Sequence, residues 1–474
     1  MTGETPPPPV HALPAHRWLG EPLLRFNPLR PDERRASPLQ GLLEFGPFSR
    51  NVLTPVMDPI RVAIIGPHGE LKPARDLVAE LARPARVLEG KPYRPDYPGY
   101  RSAFSLNIAP AAVEVELPAE VDRSIQGANP HLALADHVLR AVQHAVARRE
   151  HFDVLLIYLP DRWEPAESVP NDAWFLHDQI KAAAARHGVA TQIVRQGEAI
   201  SYRCRASVLW HLAIALYVKA GGVPWKLAEP DEGTAYIGLG YALRPPQAGQ
   251  RFVICCSQIF DSDGAGLEFL LYETGDMWVE GDDPFLSRKE MRRVIGRSIQ
   301  LYQRRTLGRI PRRLVVHKTS LFKDMEAQGV FDAAGAIGEI ELVQVQATSP
   351  WRGIHVQGKQ DIARYPVERG TFLQLSGSSG LLWTSGNAPT AVPSGNYYKE
   401  GRAIPEPLEI IRFAGRSSLD EAATAVLALT KMDWNKDALY DRMPVTTAYA
   451  KVLARVAKNF TEFASVPYPL RLFM

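Results

Sequence analysis

A histidine, two lysines and a glutamine are spaced so that ordinary folding would bring them together. His177 and Lys181 lie four residues apart in NDAWFLHDQIKAAAARHG, so on a helix their side chains share one face, a turn apart. Asn171 suits the N-cap of that helix and Gly188 its C′ position. Phe175, Ile180, Ala184 and Ala185 make its apolar stripe. ATQIV then reads as a short buried strand carrying Gln192. A second helix, about residues 207–220, holds Lys219 in its last turn and stops at Gly221-Gly222, with Pro224 beyond. Lysine supplies a point charge and rotatable donors, glutamine an NH₂ donor, and histidine a donor that turns cationic beside an anion. With a helix terminus converging on them, the set suits a terminal phosphate, which carries a charge of about −1.5 to −2 at neutral pH. Singly, these residues have plainer uses, as a solvated lysine or a histidine at a core edge; the set carries the reading.

The chain around them is long enough, at 474 residues, for two or three domains with real cores. Its 46% hydrophobic and 23% charged residues are those of an ordinary soluble globular protein. A net charge of +3 permits nucleic acid as a partner without arguing for it. Cys204, Cys255 and Cys256 form neither a disulfide framework nor a CxxC metal pair, which fits a reducing cytoplasm. There is no apolar run of membrane-spanning length, and MTGETPPPP is no signal peptide, so a soluble cytoplasmic protein without a membrane partner is expected.

Residues 1–45, with PPPPV and NPLRPDERR, read as an extended arm with little packed core. RVAIIGPHG (61–69) is a strand running into a glycine turn, followed by a helix over 73–83. GPHG lacks the spacing of GxGxxG and of GxxxxGK[ST], so it reads as a plain βα turn. A long amphipathic helix over 132–149 and a continuous apolar strand over 152–160 complete an alternating pattern. That pattern gives a doubly wound parallel sheet, on which ligands bind beyond the carboxyl ends of the strands. Gln192 is expected at such an end. After Trp225 the polar KLAEPDEG marks a domain boundary. Residues 235–244, 251–260 and 267–274 then read as antiparallel strands, and 287–306 as a helix opened by a Ser287-x-x-Glu290 capping box. A strand (312–320), a helix (FKDMEAQG), strands at 339–346, GTFLQLS and GLLWTSG, and helices over 418–432 and 445–464 follow. Three antiparallel strands, a helix and a parallel strand is the order of an RNase H-like fold.

The order His177…Lys181…Gln192…Lys219-Ala-Gly-Gly-Val-Pro-Trp resembles the guide-anchoring pattern of the MID domain of prokaryotic Argonautes, and histidine at its first position resembles the short members. The resemblance runs from about Gly46-Pro47 to Met474. It implies an α/β chain made of an N-terminal arm (1–45), a Rossmann-like MID domain (46–228) and an RNase H-like PIWI domain (229–474), without the N and PAZ domains of longer members. It further implies that His177, Lys181, Gln192 and Lys219 grip the 5′-phosphate of a guide strand. The terminal carboxylate at Met474 would share a divalent cation, Mg²⁺, with that phosphate.

Slicing members of that family hold metal ions with carboxylates in patterns like IGxD and HRDG and with a last ligand after Tyr-Ala. Here Gly240 follows Ile237-Gly238-Leu239, Thr319 follows His317-Lys318, and Lys451 follows Tyr449-Ala450. A glycine, a hydroxyl and an ammonium do not replace hard anionic ligands, so no cleavage is expected. The segment from Arg288 to Arg313, which includes Lys289, Arg292, Arg293, Arg297, Arg304, Arg305, Arg309 and Arg312 against Glu290 alone, is a candidate track for a nucleic-acid backbone or a solvated helix face. The resemblance thus implies a guide RNA, a single-stranded DNA target that base pairing reads, and no catalytic residue of the chain's own. It also implies a partner with an APAZ domain fused to an effector, sirtuin-like and NAD-depleting in preference to TIR, in defence against plasmids and phage. One alternative is a working RNase H-like endonuclease using Asp261, Asp263, Glu273 and Asp324; another is a two-domain α/β enzyme that binds a nucleotide in its first domain.

Overall fold

The computed structural model describes residues 15–52, 56–88, 94–169, 174–243, 253–281, 283–357, 361–364, 366–392, 397–398, 403–460 and 467–474. The proline run at 6–9, Asn171, Arg244 and the end of the last helix at 461–464 lie outside them.

In the first domain β1 (Ile60–Gly66), β2 (Ile108–Glu116), β3 (Val154–Leu159) and β4 (Thr191–Arg195) form a parallel sheet in the order β2-β1-β3-β4. Helices α1 (Lys72–Glu80), α2 (Pro130–Val146), α3 (Leu176–Ala185) and α4 (Arg205–Lys219) cover it. α1 and α4 pack on one face, α2 and the Leu176-Ile180-Ala184 stripe of α3 on the other. Every residue of β3, VLLIYL, is buried, as a central strand covered on both faces requires.

The second domain opens with the antiparallel strands β5 (Thr234–Leu243), β6 (Val253–Phe260) and β7 (Gly266–Thr274). Helix α5 (Arg288–Arg305) starts where expected, with Ser287 Oγ accepting from the Glu290 backbone N–H at 3.2 Å. It leads to β8 (Arg313–Lys318), parallel to β5; α6 (Asp324–Ala333) then leads to β9 (Glu339–Gln346), parallel to β8. The resulting order β7-β6-β5-β8-β9 is RNase H-like. The sheet continues through β10 (Leu408–Ala414), Ser379–Leu382 and Thr371–Gln374, and α7 (Leu419–Leu429) and α8 (Val445–Ala457) close it. α5 and α6 cover one face, α7 and α8 the other.

The α4 face of the first sheet and the α7–α8 face of the second share one apolar cluster, with Trp210, Leu216, Leu453, Phe460 and Met474 among its members. Burying each such side chain contributes about 1.5–3 kcal/mol, so the domains form a common core. The arm differs from its expectation. Leu24, Phe26, Leu39 and Leu42 are buried, and Glu21 is held inside by Arg369 (2.9 Å) and Lys431 (2.5 Å). Arg17–Trp18 adds a strand to Thr371–Gln374 at one sheet edge, and Tyr468–Pro469 caps β7 at the other. No described helix is long and apolar enough to cross a membrane.

Candidate functional site

Helix α3 begins later than the expected Asn171 cap, because Phe175 is extended and serves as its N-cap without a side-chain bond. Its far end is as expected. Gly188 has φ 70°, its N–H bonds Ala185 O at 3.0 Å, and the Val189 N–H bonds Ala184 O at 3.2 Å, the pattern that a left-handed C′ glycine makes possible. α4 ends on Lys219, after which Gly221 (φ 108°) turns the chain and Gly222 lies so close to the Tyr217 ring that a Cβ would not fit. Trp225 is buried, its indole N–H donating to Lys431 O at 3.0 Å.

These two helices aim both lysines inward, and each is 2% exposed. Lys181 Nζ donates to Thr191 O at 2.7 Å and to the Met474 main-chain O at 2.5 Å. Lys219 Nζ donates to Gln192 Oε1 and, at 3.3 Å, to Asn435 Oδ1. Among the described residues neither lysine has an ion pair with an Asp or Glu side chain; the Met474 oxygen that Lys181 meets belongs to the terminal carboxylate. Burial pushes Lys181 down to about 7, against the pull of Asp178. Burial, with the Lys181 charge added, holds Lys219 well below the usual lysine range, against the pull of Asp433. Two mutually repelling ammonium groups are buried here, and their described acceptors are the Thr191, Gln192 and Asn435 oxygens and one oxygen of the Met474 terminal carboxylate, so at most one of the two charges is balanced within the pocket. The Thr191 hydroxyl is also buried without a partner among the described residues.

The cluster is not at the carboxyl end of the strands. Gln192 is the second residue of β4, and α4 returns antiparallel to β4, so Lys219 arrives at the same, amino-terminal end. The second domain packs there, bringing Asn435, Arg471 (Nη1 to Lys219 O, 2.6 Å) and Met474. The helix terminus that converges is therefore a carboxyl end, which favours the lysine itself and not an anion.

His177 stands at the rim with a 37% exposed side chain, its Nδ1 2.9 Å from Asp178 Oδ1. Burial lowers its pKa, partly offset by Asp178. Asp178 is fully buried and takes a two-pronged grip from Arg455 of α8, at 2.6 and 3.1 Å, with the guanidinium 5.0 Å above the Phe175 ring. The structure thus brings Lys181, Gln192 and Lys219 together and leaves His177 at their edge. Asp178, Asn435, Arg455 and Arg471 went unseen in the sequence, since their partners lie far along the chain. Arg455→Ala strands a buried carboxylate; with Arg455 40% exposed, the expected loss is about 2 kcal/mol. Thermal unfolding measures it, and Arg455→Lys should lose less.

Two oxygens near Met474 are already engaged. The Met474 main-chain O and Gln192 Oε1 are each engaged by an ammonium, whereas Mg²⁺ needs several free hard oxygens. Among the described residues no group of three His, Cys, Asp or Glu side chains is placed to hold a metal.

In the second domain, α8 lies directly on β5. A Cβ at Gly238 would collide with Thr446 O, and one at Gly240 with Ala450 O. Thr319 and Lys451 are exposed. The substitute carboxylates do not converge: Asp261 and Asp263 sit past the β6 end of a hairpin whose opposite end holds Glu273, and Asp263 is paired with Lys226 at 2.5 Å. The basic segment is also less free than its linear sequence implies. Arg288, Arg293, Arg305 and Arg312 pair with Asp332, Glu290, Glu268 and Asp231, three of these acids coming from other elements.

No protein-family model matches the chain, and no curated protein does. Its fold is matched by solved structures of low sequence identity. Clostridium butyricum Argonaute, bound to a guide DNA and a 19-mer target DNA, superposes with a TM-score of 0.65 at 17% identity, over 97% of this chain and 54% of that one. Drosophila Piwi gives 0.64 at 15%, over 97% and 55%, and A. aeolicus Argonaute 0.60 at 16%, over 95% and 54%. The chain spans about half the length of these structures, and its fold is that of their MID and PIWI domains.

Proposed function

We propose that this protein is a guide-dependent nucleic-acid receptor of the cytoplasm. It anchors the 5′-phosphate of a guide strand on Lys181, Lys219 and Gln192, with His177 at the rim, and captures a complementary target without cutting it. The observation that supports this most is the pair of buried lysines, which among the described residues have no Asp or Glu side chain as an ion-pair partner. Phosphate oxygens satisfy both at once through charge-assisted hydrogen bonds. Gly240, Thr319 and Lys451 stand where a metal-holding nuclease of this fold needs acids, so the receptor has no chemical output of its own. We extend the reading to an RNA guide, a single-stranded DNA target and a partner that acts for it, an APAZ-domain protein with a sirtuin-like NAD-consuming effector. That extension rests on the resemblance in the sequence. Purifying the protein with its neighbouring gene product and sequencing the co-purified nucleic acid tests it: short 5′-phosphorylated RNA is expected, and uptake of no guide at all overturns it. Guided cutting of a labelled target in Mg²⁺ or Mn²⁺ would instead establish the nuclease reading.

A pH dependence follows from the same lysines. Lys181 titrates near 7 in the empty folded chain and near the ordinary lysine value of 10.5 when unfolded. Between these values the empty folded state holds fewer protons than the unfolded one, so its stability rises with pH. A phosphate dianion draws the proton back onto the lysine, so guide binding takes up protons above pH 7. The preference for 5′-phosphate over 5′-hydroxyl guides is expected to fall by up to about tenfold per pH unit from pH 7 to 9. A pH-independent ratio of the two affinities would contradict the assignment.

A further inference from the structure

Under α7, at the amino ends of β5, β8 and β9, the second domain contains a cavity of about 550 Å³. It opens at the end of β8 remote from Thr319, and the receptor reading does not use it. Tyr236, Val315 and Val343 form its apolar floor, and Ala422 and Ala425 of α7 one wall. Its size is that of a small-molecule site.

The polar groups turned into it are incompletely bonded. Glu341 is 2% exposed. Its Oε1 accepts from the backbone N–H groups of Arg416 (2.8 Å) and Ser417 (2.9 Å), while Oε2 is buried with no partner among the described residues. Gly415, at φ 131°, lies against that oxygen so closely that no Cβ would fit, so the loop is shaped around the carboxylate. Asp420 repeats the pattern: Oδ2 meets Arg17 at 2.6 Å, and Oδ1 is buried without a partner among the described residues. His317, 1% exposed, shares Nδ1 with Thr446 Oγ1 at 2.9 Å, and its Nε2 has no partner among the described residues. Six of the lining side chains are carboxylates and two are arginines. A buried carboxylate oxygen with nothing donating to it is unfavourable, and the excess of acid repels phosphates.

We propose that this cavity binds an organic cation with N–H donors, an ammonium or guanidinium on a short apolar stem. Glu341 Oε2 and Asp420 Oδ1 take the cationic head, and Tyr236 and Val343 the stem. The cation comes either as a free small amine or as an arginine side chain of another chain, and two probes separate these sources. Calorimetric titration of the full chain with agmatine and with N-acetylarginine methylamide is expected to give saturable binding of at least one. Agmatine alone indicates a free amine; the blocked arginine alone, or both, indicates an arginine-bearing segment. Glu341→Gln keeps an oxygen for the two backbone N–H groups but turns an amide donor towards the cation, so affinity should fall at least tenfold. Asp420→Asn, whose outer oxygen still meets Arg17, should weaken binding severalfold and serves if Glu341→Gln unfolds. Binding of neither probe, or unchanged affinity in a folded Glu341→Gln protein, would overturn the proposal. Neither result bears on the guide anchor, which is scored by 5′-phosphate preference.

Discussion

Replacing Lys181 and Lys219 together by methionine is expected to reduce the preference for a 5′-phosphorylated over a 5′-hydroxylated guide by a hundredfold or more. Each lysine offers the phosphate a charge-assisted hydrogen bond worth about 1.5–3 kcal/mol, and each 1.4 kcal/mol is about a factor of ten. Methionine keeps the unbranched volume, so the pocket walls stay packed. The empty protein should change little in stability. Relief from desolvating two ammonium groups offsets the loss of donors to Thr191 O, the Met474 oxygen and Gln192 Oε1. Guide affinities by filter binding, with thermal unfolding as the check on folding, measure both. A double variant that still prefers the phosphate would place the anchor elsewhere.

The second large effect concerns Gly240. Restoring acids through Gly240→Asp, Thr319→Asp and Lys451→Asp is expected to yield a less stable protein that still does not cut. The backbone of α8 is the obstacle, since a Cβ at position 240 would sit well inside the 3.0 Å that real Cβ atoms keep, against Ala450 O. Overpacking against a carbonyl cannot be relieved by turning a side chain, so about 3 kcal/mol is expected, roughly a 6 °C fall in Tm. Gly240→Ala alone should show most of it. Cleavage by the triple variant at wild-type Tm would mean that α8 yields and that only the carboxylates were missing. The glycine is thus part of how helix and sheet meet, and its replacement by acid is opposed by packing as well as by chemistry.

Local signals carried what the sequence revealed. The Gly188 terminus of α3, the Ser287 cap of α5 and the stop after Lys219 each depend on a few neighbouring residues, and the structure shows each of them. Strand order in the second domain followed from apolar runs and turn spacing. Long-range electrostatics did not show. Asp178 gives no local signal of its role because its partner Arg455 stands 277 residues away. The arm looked loose because Glu21 meets Arg369 and Lys431 only after the sheet has closed. The run from Arg288 to Arg313 looked like bare positive charge because Asp332, Glu268 and Asp231 reach it from separate elements. The end of β4 at which Gln192 works was misplaced for a related reason, since the second domain decides where the pocket closes.

That closure has a thermodynamic consequence. The lysines belong to the first domain, but Asn435, Arg471 and Met474 of the second hold them or their helix. An anion that takes over the lysines competes with those contacts, so its free energy of binding includes a change in how firmly the two halves hold each other. Reciprocity then applies. Whatever strains the second domain, a long rigid duplex for example, alters the grip on the far end of the strand by the same amount. On the proposed reading, a receptor built this way would sense its cargo through the seam between its halves.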